Sequence, residues 1–169
     1  MPVFISGGTP TQVVYTPVYG SFYDTTDQSS ASDVVKAMEL NTTDTSIGVT
    51  IANNTLSRPT RITVSNSGVY NLQFSAQLYR TSGGQSKTMT IWIRVNEVNV
   101  PASATIVTMQ ANADYLVAAW NWYVTLTANQ YVEIMYVQND SITIEYVPED
   151  LVTPHPAVPS VIVTMNKIS

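Results

Sequence analysis

No cysteine occurs among the 169 residues. Disulfides, thiolate metal sites and thiol nucleophiles are therefore excluded. The compartment stays open, because a protein without disulfides survives in either redox setting. Charge is nearly as scarce: 11% of residues are Asp, Glu, Lys or Arg, less than half the usual share. The seven basic residues, Lys36, Arg58, Arg61, Arg80, Lys87, Arg94 and Lys167, are scattered. No basic stripe forms that would neutralise a run of phosphates, so nucleic acid is not an expected partner. No apolar run reaches the ~18 residues of a membrane span. The start, MPVFISGGTP, lacks the basic head and apolar core of a signal peptide. The chain thus reads as a complete, cytoplasmically made product. Helix signals are also nearly absent, the best amphipathic stretch being residues 34–40, two turns at most.

What fills the sequence is Thr, Ser, Asn, Val and Tyr, a composition suited to pleated, half-buried strands. A charge-poor surface also docks readily against protein, since few ions need desolvating. A chain of this length is one domain's worth and buries roughly 70% of its unfolded surface. Short alternating runs separated by Asn, Gly, Ser, Asp and Pro clusters predict an all-β antiparallel sandwich or barrel of about nine to ten strands. The clearest run is 68–78, GVYNLQFSAQL. A period of two puts Tyr70, Leu72, Phe74, Ala76 and Leu78 on a core face and Asn71, Gln73, Ser75 and Gln77 on the other. Met89, Ile91, Ile93 and Val95 form the next core stripe, broken by Asn96-Glu97. Residues 98–109 return, with Pro101 at an edge or bend. In 114–126, Trp120, Trp122, Val124 and Leu126 share one face, and Ala119, Asn121 and Tyr123 share the other. Both faces of that strand read as at least partly buried. Strands are also expected at 19–24, 49–52, 61–64, 131–137, 141–147 and 160–167. Four prolines, Pro148, Pro154, Pro156 and Pro159, make 148–159 an ordered, non-strand surface segment. Residues 1–16, punctuated by Gly7-Gly8 and Pro10, read as an extended arm before a domain spanning 17–169.

Several pieces resemble a known family. GVYNLQFSAQLYRT (68–81) is similar to the Gly-x-Tyr-x-x-x-Phe strand of the tumour-necrosis-factor-like and complement-globular-head jelly rolls. IWIRVNEVNVP (91–101) resembles that family's Asn-Gly hairpin, with Asn96-Glu97 in its place. VTLTANQYVEIMY (124–136) resembles its Gly-Asp strand pair, with Asn129-Gln130 in its place. SVIVTMNKIS (160–169) stands where its closing strand stands. More narrowly, 19–28, 61–64, 68–78, 117–121 and 158–164 are similar in content and order to short jelly-roll proteins and fibre tips of tailed bacteriophages. The resemblance covers residues 17–169. It implies a jelly-roll sandwich, a homotrimer about a three-fold axis, and a place on the virion surface.

On that expectation the second faces of the 68–78 and 114–126 strands, namely Asn71, Gln73, Ser75, Gln77, Asn121 and Tyr123, line the trimer axis. Amides there can bond their symmetry mates without burying charge. The arm would attach the protein to a major capsid protein or another virion protein. Val3, Phe4, Ile5, Val13, Val14 and Tyr15 are its contact candidates, Val13-Val14-Tyr15 by adding a strand to a sheet edge.

The function expected is that of a capsid decoration (cement) or head-fibre protein. The alternative is a receptor-binding tip or collar module that reads a host surface glycan or protein with loops such as 81–87 and 148–159. Catalysis is not expected. His155 is the lone histidine, between two prolines, with no base or metal partners evident from the sequence. Asp24, Asp27 and Asp33, like Asp140, Glu145, Glu149 and Asp150, lack calcium-loop spacing and read as solvated turn acids. Gly7-Gly8 and Gly83-Gly84 are not phosphate loops. Sequons at Asn41, Asn53 and Asn139 matter only in a secretory host. Of the tryptophans, Trp92 is the candidate for exposure. No cofactor is expected.

Overall fold

The computed structural model describes residues 16–139 and 141–169. The candidate attachment residues Val3, Phe4, Ile5, Val13, Val14 and Tyr15 lie outside the described residues.

Thirteen strands occur among the described residues: β1 Tyr19–Asp24, β2 Lys36–Ala37, β3 Thr42–Ile47, β4 Val49–Asn53, β5 Pro59–Val64, β6 Gly68–Arg80, β7 Lys87–Val95, β8 Val98–Asn99, β9 Thr105–Met109, β10 Tyr115–Leu126, β11 Tyr131–Gln138, β12 Ile142–Ile144 and β13 Val161–Lys167. They form two antiparallel sheets. The first has the order β10-β6-β13-β1-β3, with β12 also on β6. The second has the order β4-β5-β11-β7-β8, with β2 on β11 and β9 on β7. This is an all-β sandwich, as the alternation predicted.

The core lies between the sheets. Tyr70, Leu72, Phe74, Ala76 and Leu78 of β6 are buried, as are Met89, Ile91 and Ile93 of β7. Val132, Ile134 and Tyr136 of β11 and Val161, Val163 and Met165 of β13 join the same cluster. Period-two patterning places each set inward because successive Cβ atoms alternate across a strand. The β7–β8 hairpin closes with Asn96 (φ 45°) and Glu97 (φ 69°). Two left-handed residues match the twist of a hairpin, which explains why Asn-Gly is the usual pair here. Glu97 tolerates the position with its carboxylate held by Arg61 at 2.8 Å.

The structure adds three features to that reading. Residues 34–40 form no helix. Lys36–Ala37 pairs with β11, and Met38 and Leu40 are buried at alternate positions. Val34, Ala37 and Met38 fit one face of a helix and Met38 and Leu40 one face of a strand, and seven residues are too few for either period to repeat. Second, β3 runs along β1 as an unforeseen edge strand. Its sequence, TTDTSI, is mostly polar on both sides and carries no period. Third, the proline-rich segment makes isolated pairs, Val147 with Val158 and Asp150 with His155, and so folds back on itself as a ribbon.

The sandwich has two unlike ends. β6 spans 13 residues, about 40 Å at ~3.3 Å per residue. Beside Gly68 lie the point where the chain joins the domain (Lys167 N–H to Val18 O, 2.9 Å) and the C-terminus (Val69 N–H to Ser169 O, 3.2 Å). Beyond Arg80 lie the 81–86 and 110–114 loops, whereas the 147–158 ribbon leaves and rejoins the sheet at Gln77, which bonds both Glu145 N–H and Ser160 O.

Tyr136 gives the core a pH signature. Burial, aided by Glu39 and opposed by Arg58, pushes its phenol up from 10.0 to about 12. The unfolded chain would ionise this group first, so its contribution to stability is intact below pH 10 and is lost as pH rises toward 12, at up to ~1.4 kcal/mol per unit. Tyr136→Phe keeps the ring and removes the titration. Urea unfolding at pH 9, 10 and 11 is expected to show a shallower loss of stability in the variant. A residual slope is expected from Tyr70 and Tyr131, which burial also raises.

Candidate functional site

The long pairing of β10 with β6 runs from Tyr115↔Tyr79 to Leu126↔Gly68 without a register shift, and β13 flanks β6 on the other side. Those registers lay the outward side chains in rows. One row is Tyr123–Asn71–Asn166, the next Asn121–Gln73–Thr164, the next Ala119–Ser75–Ile162, and then Val117–Gln77. All six residues expected at a trimer axis, Asn71, Gln73, Ser75, Gln77, Asn121 and Tyr123, are therefore brought together on one face.

In the isolated protomer this face is open. Tyr123 is 69% exposed, and Tyr115, Val117 and Ile162 are exposed beside it. The expectation that both faces of β10 are partly buried is thus corrected for the single chain: only the side bearing Ala118, Val124 and Leu126 is buried, with Trp120 and Trp122 packed against the core. Asn121 Nδ2 donates to Asn71 Oδ1 at 3.0 Å, and Thr164 Oγ1 to Gln73 Oε1 at 3.5 Å. A shallow depression of about 210 Å³ opens among Gln73, Ser75, Ile162 and Thr164. Across β10, β6 and β13 this face carries no charged side chain. Glu145, which follows β12 and bonds Gln77 O through its N–H, stands at one end. Its carboxylate holds the Tyr115 phenol above the ordinary tyrosine value.

The opposite sheet and its loops carry three ion pairs. Arg94 Nε donates to Glu133 Oε2 at 2.7 Å, Arg61 pairs with Glu97, and Arg58 with Glu39. Trp92, on this sheet, is half-buried and donates from Nε1 to Asn99 Oδ1 at 2.8 Å. Trp122 donates to Ser103 O at 3.0 Å. Trp120 and Trp122 pack round Phe74.

The acidic residues separate by environment. Asp24 is not a solvated turn acid. It is buried and accepts from Thr26 N at 2.7 Å, Thr26 Oγ1 at 2.6 Å and Asn41 N at 3.1 Å, tying β1 to the start of β3. Asp27 accepts from Tyr146 N at 2.8 Å. Asp150, half-buried, accepts from Thr153 Oγ1 and Val152 N, which hold its carboxyl below the ordinary value. His155 is exposed in the same ribbon, its Nδ1 2.9 Å from Pro156 O. Among the described residues no three His, Asp or Glu side chains gather as a metal site would require.

No family model and no curated protein matches the sequence. Solved structures do resemble the fold. Murine APRIL superposes with a TM-score of 0.56 over 90% of this chain and 100% of its own, at 12% identity. Eiger TNF from S. frugiperda superposes with a TM-score of 0.53 over 90% of this chain and 93% of its own, at 10% identity. At such identities the likeness speaks to architecture alone: the chain has the jelly-roll fold of the tumour-necrosis-factor-like proteins.

Proposed function

We propose that the protein is a homotrimeric structural protein of a tailed-bacteriophage virion, a capsid decoration or head-fibre subunit that docks through its N-terminal arm. The carrying observation is the uncharged, partly apolar face of β10, β6 and β13. Large exposed apolar patches mark interaction surfaces, and tyrosines with few charges are the composition of an interface core. The trimer and the virion setting follow from the resemblance of residues 17–169 to phage jelly rolls. The polarity of the sandwich supports the docking geometry. The arm joins beside Gly68, and the 81–86 and 110–114 loops lie about 40 Å away, so a protein held by one end would present the other.

Light scattering tests the assembly. A particle near three times the 18.5 kDa chain mass is expected, and a stable monomer would break the reading. Deletion of residues 1–14 tests the arm. The truncated protein is expected to keep its three-chain assembly and its circular dichroism but to lose sedimentation with purified capsids. Continued decoration of particles by the truncated form would show that the arm is not the attachment device.

The exposed tip of the 147–158 ribbon, Leu151 and Val152, favours the second reading, a tip or collar module that recognises a host surface glycan or protein. In that case the protein binds host cells rather than capsids.

A further inference from the structure

The outer side of the second sheet holds a cleft of about 410 Å³, within the range of small-ligand sites. Its apolar lining comes from Val35, Leu56 and Met135, its cations are Lys36, Arg58 and Arg94. Three of the seven basic residues of a charge-poor chain thus meet at one concavity.

The floor is built, not incidental. Glu133 is 0% exposed in side chain and receives Thr60 Oγ1 at 2.5 Å and Arg94 Nε at 2.7 Å. Replacing a buried ion pair by apolar residues of similar volume is often neutral or stabilising, so stability alone does not account for it. What the pair does accomplish is to fix a guanidinium, a group with five N–H donors, at the base of a cavity. The rim is also preformed. Asn54 Oδ1 accepts from Leu56 N at 2.9 Å and Arg58 N at 3.1 Å, and Ser57 takes a φ of 60°. This turn sets Leu56, 75% exposed, and Arg58 at the mouth.

Charge selects the ligand. Lys36, Arg58 and Arg94 face two carboxylates, Glu39 and Glu133, leaving one net positive charge. Asp27, which accepts from Tyr146 N, lies in a smaller adjoining cleft of about 210 Å³ that Lys36, Glu39 and Arg58 also line, and there Lys36 Nζ donates to Ser29 O at 2.5 Å. One excess positive charge beside apolar walls complements a monoanion with an apolar body better than a dianion. We infer that this cleft binds a small monocarboxylate joined to an apolar or CH-rich body, either a free aliphatic acid or an acidic sugar. The cleft lies on the sheet opposite the proposed trimer face, so the inference stands or falls independently of assembly.

The test is a titration of the full-length protein, followed by amide NMR shifts at constant ionic strength, with hexanoate, galacturonate, hexan-1-ol and sulfate. Saturable shifts confined to 35–39, 54–60, 94 and 135 are expected with at least one carboxylate. Tighter hexanoate identifies the aliphatic source, and tighter galacturonate the sugar. Arg58→Ala is expected to weaken that binding about tenfold, the loss of one charge-assisted hydrogen bond. The fold is expected to survive, because the exposed Arg58–Glu39 pair adds little stability. Leu56→Ser, at the rim, is expected to weaken hexanoate more than galacturonate. Absence of saturation by either carboxylate would overturn the inference. So would equal binding of hexan-1-ol or sulfate, or unchanged binding in a folded Arg58→Ala protein.

Discussion

Gln73→Lys is expected to convert the proposed trimer to monomers, reducing the mass seen by light scattering from about three chains to one while leaving circular dichroism and thermal unfolding of the domain intact. Gln73 lies in the middle row of the uncharged face, between Asn121 and Thr164, and is exposed in the protomer. A lysine there touches only water in the isolated chain, and exposed substitutions of this kind usually change stability by less than about 0.5 kcal/mol. At a three-fold axis the same change brings three ammonium groups together. At a separation of ~8 Å and an effective dielectric of ~20, each of the three pairs repels by about 2 kcal/mol, before desolvation is counted. Gln73→Asn, which keeps the amide, serves as the control and should remain trimeric. A trimer that accepts the lysine unchanged would move the interface to another surface.

Phe74→Ala is expected to cost about 3–5 kcal/mol of folding stability, read as a fall in the urea midpoint with the slope unchanged. The ring is 4% exposed. It meets Trp120 edge-on at 4.7 Å between centroids and stacks on Trp122 at 5.2 Å. Truncation therefore removes two aromatic contacts as well as buried area. For a domain of this size, that loss lowers the melting temperature by about 10 °C. Trp120 and Trp122 are themselves in contact, 5.6 Å apart, so the near-ultraviolet circular dichroism of the pair should change with the cavity. Phe74→Leu, which keeps most of the volume, should recover more than half of the loss.

The strands legible in the sequence are those with one buried side. β6, β7 and β13 alternate because each faces a single core, whereas β11 is buried on both sides from Val132 to Tyr136 and shows a run in place of a period. β10 was legible only on its inner side, since whether Ala119, Asn121 and Tyr123 meet water or protein is not encoded in alternation. β3 was illegible because an edge strand with Thr and Ser on both sides has no period. β2 was not legible, because a two-residue strand shows no period. The rows of the uncharged face followed from the pattern once β10 was seen to pair in register with β6. The cleft did not. Its cations come from positions 36, 58 and 94, which only the topology brings together. One local sign was present: Glu133 interrupts the apolar run VEIMYV, and a carboxylate enclosed by such neighbours needs a cation and a donor close by. Arg94, opposite it in the register, and Thr60 supply them.

The two unlike ends of the sandwich bear on how the protein can carry cargo. Ser169 sits next to the segment where the chain joins the domain, so a peptide fused to the C-terminus emerges beside that segment and, under the proposed docking, would be crowded by the surface that holds the protein. The Gly83-Gly84 turn is at the far end, and an added Cβ at either glycine meets nothing within 4 Å. An epitope grafted at that turn would point away from the support and repeat once per subunit, making the free end of the sandwich the better platform for display.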